Sequence, residues 1–226
     1  MEIKKENKNN MKIIFFGDSV TDANRERGSE EAGRIKEVYS DTPKAYGSGY
    51  VFLVAAQLFY EKPNFYQILN RGIAGDRLPQ MYARIQLDIW SEQPDVLSIF
   101  VGANDAKRIN NPNHTDLERW GRLYRTMIRE TQERCPQTKI MICEAYDLKS
   151  NPDVEYCNTI KAYAGEAKKI ADEFNLPFVP VQEAVEKAIE RYGLETCFYD
   201  RAHPNLVGSK VIADEWLKVF KKEIMP

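Results

Sequence analysis

Five short apolar runs punctuate the chain: Lys12–Phe16, Tyr66–Asn70, Val96–Val101, Lys139–Glu144 and Pro177–Val179. They are nearly continuous in apolar residues rather than alternating, as strands covered on both faces should be. Between them lie longer stretches with helical spacing. Gly49–Tyr60 stops before Pro63, and Leu78–Trp90 has Pro94 beyond it. Thr115–Arg134 begins at an N-cap residue type and ends before Pro136. Asp153–Phe174, Val181–Tyr192 and Pro204–Phe220 complete the set. Strand–helix alternation of this kind predicts an α/β chain with a parallel sheet between two helical layers. The segment Asn24–Tyr46 interrupts the pattern: it is polar, charged and poorly periodic. A long connection there is expected to be functional or mobile, and to wall a site at the end of the first strand.

Composition narrows the function classes. The chain has 226 residues, 43% hydrophobic and 29% charged, with a net charge of −2. That size can bury a core without staples. The balanced charge gives no sign of nucleic-acid or acidic-membrane binding. Basic runs at Lys4–Lys8 and Lys218–Lys222 read as solvated termini. Residues 1–10 read as a flexible tail and residues 11–226 as one domain. The four cysteines, Cys135, Cys143, Cys157 and Cys197, contain no C-x-x-C pair. They suit a reducing compartment, so a cytoplasmic location is expected. No apolar run is long enough to span a membrane.

The candidate chemistry starts at the first strand, which ends in Gly17-Asp18-Ser19-Val20-Thr21. Sites in open α/β sheets form at the carboxyl ends of strands. A serine on such a turn is a nucleophile if a base reaches it. The chain holds two histidines. His114, in a turn-rich loop, reads as a surface residue. His203 sits in Asp200-Arg201-Ala202-His203-Pro204, with Pro204 suited to the first turn of the final helix. Asp200 is placed to hold one ring nitrogen while the other faces a nucleophile. On that motif alone, the two residues are as well explained as caps of the last helix. A metal pair is a third option, but no further His or Cys cluster supports it.

An acyl-transfer site also needs oxyanion donors. Gly75 follows the second strand in Asn70-Arg71-Gly72-Ile73-Ala74-Gly75, and Asn104 follows the third in Gly102-Ala103-Asn104-Asp105. Each alone is explained as a turn or cap residue. A doubly wound sheet, however, brings the serine, glycine, asparagine and Asp/His loops to one edge. Asp18 and Asp22 read as turn and cap aspartates. Tyr50, Trp90, Trp120 and Trp216 read as core, and Arg27, Arg34 and Arg108 as residues beside the cleft.

Together these four segments resemble the four sequence blocks of the SGNH/GDSL hydrolases, over nearly the whole chain. The resemblance implies a flavodoxin-like three-layer α/β/α fold with a five-stranded parallel sheet. It implies Ser19 as nucleophile, His203 as base and Asp200 as its orienting acid. It implies an oxyanion hole from Ser19, Gly75 and Asn104, with no metal and no organic cofactor. Gly47-Ser48-Gly49-Tyr50-Val51, Asn70 to Gly75 and Asp95-Val96-Leu97-Ser98-Ile99 are similar to a subgroup of intracellular acetyl-xylan (acetyl-xylooligosaccharide) esterases. Two positions depart from that subgroup. Ala106-Lys107-Arg108 stands where a tryptophan is usual, and Ala74 where a serine is usual.

The resulting expectation is a serine esterase for short acyl esters, acetyl above all, on carbohydrates. Its partner is a small-molecule acyl ester such as an acetylated oligosaccharide, with neither nucleic acid nor membrane, and the subgroup implies that a homo-oligomer is compatible. A lysophospholipase or thioesterase would use the same triad but need a long apolar slot. A non-catalytic carbohydrate-binding protein on this fold would be expected to lose Ser19, Asp200 or His203. There is no G-x-S-x-G elbow, which disfavours the larger α/β-hydrolase fold.

Overall fold

The computed structural model of the protein describes residues 10–27, 29–31, 34–36, 43–107, 116–148, 154–200 and 202–225. In chain order the strands are β1 (Met11–Gly17), β2 (Ser29–Glu31), β3 (Arg34–Lys36), β4 (Tyr66–Asn70), β5 (Val96–Phe100), β6 (Lys139–Cys143) and β7 (Phe178–Val179). Five of them form a parallel sheet in the order β4-β1-β5-β6-β7, while β2 and β3 pair antiparallel with each other. Ile13 of β1 lies between Ile68 of β4 and Val96 of β5. This is the flavodoxin-like order, with its crevice where connections leave β1 and β5 in opposite directions.

The helices are α1 (Ser19–Asp22), α2 (Pro43–Tyr46), α3 (Tyr50–Glu61), α4 (Leu78–Ile85), α5 (Ala103–Lys107), α6 (Leu117–Arg134), α7 (Val154–Glu173), α8 (Val181–Tyr192), α9 (Leu194–Cys197) and α10 (Leu206–Val219). Successive residues of a strand point to opposite faces, so each strand feeds two cores. Ile13 and Phe15 pack with Tyr50 and Val54 of α3, Val185 of α8 and Trp216 of α10. Ile14 and Phe16 pack with Met81 of α4, Trp120 and Tyr124 of α6, and Ile170 of α7. Burying each such side chain contributes about 1.5–3 kcal/mol. Both faces of β1 are dry, which is why its sequence reads as an unbroken apolar run.

Tyr50, Trp90, Trp120 and Trp216 are all buried, as expected of core residues. The four cysteines are buried and free, and burial pushes the Cys143 thiol up to about 12. Among the described residues no helix is long and apolar enough to cross a membrane. Residues 1–9 of the expected tail lie outside the described residues, as do His114 and Arg108.

The stretch from Leu78 to Trp90 is helical over the expected bounds, as an α-helix to Ile85 and a π turn over Gln86–Trp90. The final helix starts at Leu206, not Pro204. Asn205 caps it by accepting from the N–H groups of Val207 and Gly208, at 2.9 and 3.4 Å. Pro204 instead bridges back to Phe198 in antiparallel fashion. The Asn24–Tyr46 connection contains β2, β3 and the whole of α2.

Candidate active site

Ser19 is the first residue of α1, at the carboxyl end of β1. Asp18 caps that short helix through the Val20 N–H (3.1 Å). The serine turn therefore stands on a buried strand and a side-chain cap rather than on a mobile loop. Ser19 Oγ lies 2.8 Å from His203 Nε2, across 184 residues of sequence. His203 Nδ1 lies 2.7 Å from Asp200 Oδ2. The other oxygen of Asp200 accepts from the Ala202 N–H (2.7 Å) and the His203 N–H (2.6 Å). Asp200 thus closes its own loop and holds the ring, while Asn205 caps the helix. Burial raises the Asp200 carboxyl, but the His203 ring and the two N–H groups outweigh it and hold the group below its ordinary value.

The second strand end is clamped against the serine turn. Asn70 donates to Thr21 O (2.6 Å) and Tyr46 O (2.9 Å) and accepts from the Gly72 N–H (2.9 Å). Gly72 packs so tightly on α1 that a Cβ would lie 2.2 Å from the Asp22 nitrogen. Asp22 accepts from the Ala74 N–H at 2.8 Å and from the Arg27 guanidinium. It ties two loops together, beyond the turn-and-cap role read from the sequence. Gly75 follows with φ +84°, and open space lies where its Cβ would be. The Ser19 and Gly75 N–H groups have no acceptor among the described residues. At the third strand end, Asn104 Nδ2 donates to Asp76 O (3.1 Å), and a longer contact of 3.4 Å reaches Asp18 Oδ2. Asp105, beside it, accepts from the Leu78 N–H at 3.3 Å.

Buried carboxyls surround this centre. Burial pushes Asp18 up to about 6, against the opposing pull of the Val20 N–H and His203. Burial, with the Asp18 charge adding to it, pushes Asp105 up to about 7. A cavity of about 60 Å³ adjoins Ser19 and His203, lined by Phe100, Val101, Ala145, Tyr146 and Leu148 among others. Tyr146 Oη donates to Ala202 O at 2.7 Å, within the histidine loop. Among the described residues no three His, Cys, Asp or Glu side chains are grouped to hold a metal ion.

The structure therefore gathers Ser19, Gly75, Asn104, Asp200 and His203 at one edge of the sheet. Arg27 lies beside Asp22, whereas only the backbone of Arg34 is described. Sequence reasoning missed Tyr146, Tyr199 and the clamping roles of Asn70 and Asp105. Asn70 and Asp105 sit next to the motif glycines and asparagine, a signal for support. Tyr146 and Tyr199 carry no local signal.

A model of the GDSL-like lipase/acylhydrolase family matches residues 15–211. The chain belongs to that family. It is a carboxylic ester hydrolase. The hydrolase is 28% identical over 214 residues to an acetylxylan esterase from Geobacillus stearothermophilus, covering 92% of each chain. A GDSL-like protein from Parabacteroides merdae superposes with a TM-score of 0.85 at 31% identity, covering 94% of this chain and 96% of that one. A variant of the Geobacillus acetyl-xylooligosaccharide esterase superposes with a TM-score of 0.80 at 27% identity, covering 92% and 93%.

Proposed function

We propose that the protein is a serine esterase that removes short acyl groups, acetyl above all, from carbohydrate esters. The observation that carries this reading is the relay from Ser19 Oγ to His203 Nε2 (2.8 Å) and from His203 Nδ1 to Asp200 (2.7 Å). Ser19 Oγ attacks the ester carbonyl carbon as its proton passes to His203 Nε2. The oxyanion that forms takes hydrogen bonds from the Ser19 and Gly75 N–H groups and the Asn104 amide. Each of these contributes about 3 kcal/mol in the transition state. The carbonyl–alcohol bond then breaks, and the alcohol oxygen takes the proton from His203. Water gives a proton to His203 and attacks the acyl-serine. The acid leaves, and that proton returns to Ser19 Oγ. Asp200 keeps the ring in the required tautomer and stabilises the imidazolium.

Two further points support the substrate class. The cavity beside Ser19, about 60 Å³, is far smaller than the roughly 300–1,000 Å³ of sites for drug-sized ligands, and suits a short acyl group. It argues against a lysophospholipase or long-chain thioesterase. The Geobacillus relative is an acetylxylan esterase, with catalytic variants in which a serine, a histidine and an aspartate are each replaced by alanine. Four buried free thiols fit a cytoplasmic setting.

The test is release of p-nitrophenol from acetate, butyrate and octanoate esters by wild type and Ser19→Ala. Activity that falls from acetate to octanoate and vanishes in the variant is the expected result. An octanoate preference overturns the short-acyl assignment. An unaffected Ser19→Ala overturns the serine mechanism.

A further inference from the structure

The leaving alcohol of an ester bound at Ser19 must receive its proton from His203 Nε2. Its oxygen therefore comes within hydrogen-bond reach of that nitrogen, about 3 Å. The cavity beside Ser19, Ala202 and His203, about 60 Å³, is too small for a sugar ring as well as the acyl group, so whatever carries the oxygen extends beyond it toward solvent. The aromatic residue against the His203 imidazole is Tyr199. Its ring lies 5.7 Å from the His203 imidazole, centroid to centroid, and nearly parallel to it, at 12°. It is 68% exposed. Of the exposed large apolar side chains among the described residues, Tyr199 alone is in ring contact with a member of the relay.

The backbone around Tyr199 is held firmly. Its N–H donates to His203 O (3.2 Å), and its neighbour Phe198 forms the bridge to Pro204. The backbone that carries the ring is thus held by the same loop closure that holds Asp200 and His203. An aromatic face carries negative charge density, which attracts the electron-poor C–H groups on one face of a pyranose ring. A solvent-facing ring stacked on the proton donor is placed to take the sugar whose hydroxyl oxygen is being released.

We propose that Tyr199 is the platform for the sugar ring of the substrate, forming a subsite for the pyranose that bears the ester. The proposal rests on the esterase reading above and adds the alcohol side to it.

The experiment compares acetylated xylobiose with ethyl acetate, which has the same acyl group and no ring. Wild type, Tyr199→Ala, Tyr199→Phe and Tyr199→Trp are assayed with each, with Ser19→Ala as control. In Tyr199→Ala the kcat/KM ratio, acetylated xylobiose over ethyl acetate, should fall about tenfold through KM for the sugar ester. Tyr199→Phe and Tyr199→Trp keep the face and should keep the ratio. An unchanged ratio in Tyr199→Ala overturns the proposal. So does equal loss on both esters, which would place the effect on His203. Wild type that cleaves ethyl acetate but not acetylated xylobiose overturns the sugar subsite and leaves the esterase reading standing. Ethyl acetate hydrolysis that persists in Ser19→Ala overturns the esterase mechanism itself.

Discussion

Tyr146 Oη donates to the carbonyl oxygen of Ala202 at 2.7 Å, joining the loop that follows β6 to the loop that holds His203. The phenol is buried, with its ring between Phe100 and Phe198. Burial keeps its pKa well above the ordinary value, so it is a donor at every working pH. Tyr146→Phe leaves the ring and removes the tie. The expected loss is about 1 kcal/mol of stability and about tenfold in kcat, because the His203 loop relaxes. Melting curves and p-nitrophenyl acetate kinetics measure the two. Unchanged kcat with lowered stability would make the bond purely structural.

Asn104→Ala removes the side-chain donor held by Asp76 O. Loss of one oxyanion donor is expected to lower kcat by about 10²–10³-fold, with little change in KM or in the melting temperature. Steady-state kinetics beside a melting curve checks this. A KM effect alone would mean that Asn104 binds substrate without stabilising the oxyanion.

Gly72 and Gly75 should respond differently to the same change. A Cβ at Gly72 would strike the α1 backbone, whereas at Gly75 it would meet nothing within 4 Å. Gly72→Ala is therefore expected to fold poorly or not at all. Gly75→Ala should fold, at a cost of about 1–2 kcal/mol for an alanine at positive φ, and lose activity as its N–H turns away from the oxyanion. Circular dichroism and activity on the two variants separate these outcomes.

Asp105 has a stability consequence with a definite sign. The ordinary carboxyl value is 3.8, and in the folded protein Asp105 holds its proton up to about 7. Between those values the folded state keeps a proton that the unfolded chain has lost, so stability falls as pH rises through the window. Asp18, pushed up to about 6, adds to the fall at the acid end. Asp105→Asn keeps an acceptor for the Leu78 N–H and removes the titration. From pH 6 to 8 its melting temperature should decline less than that of wild type, by about 2–4 °C, for roughly 1 kcal/mol in a chain of this size. Parallel slopes would show that Asp105 titrates like an ordinary carboxyl.

Much of the sheet was legible because buried parallel strands announce themselves. Lys12–Phe16 was foreseen within a residue of β1, and Tyr66–Asn70 matches β4. The errors fall where capping decides. Pro204 suits a first helical turn by its fixed φ, yet Asn205 takes the cap with its own side chain and Pro204 goes to the Phe198 bridge. The π turn at Gln86–Trp90 was unreadable, since apolar spacing does not distinguish it from an α-helix. The hairpin of β2 and β3 pairs two three-residue strands, too short for any period to register.

The residues of the site were present in the sequence as types and order: a serine, a glycine and an asparagine after successive strands, and Asp-x-x-His before the last helix. The presence of buried strands and their succession along the chain follow from local apolar patterning, because each strand must bury both faces wherever it lies; their order in the sheet, β4-β1-β5-β6-β7, does not. Distances do not follow from it. Whether Asp200 caps a helix or holds an imidazole depended on where Asn205 and the His203 ring ended up, and only the folded chain settles that at 2.7 Å. The same holds for Tyr146 and Tyr199. One is a buried bolt and the other an exposed ring stacked on His203. Aromatic residues in a sequence look alike; burial and neighbours, which are properties of three dimensions, separate them.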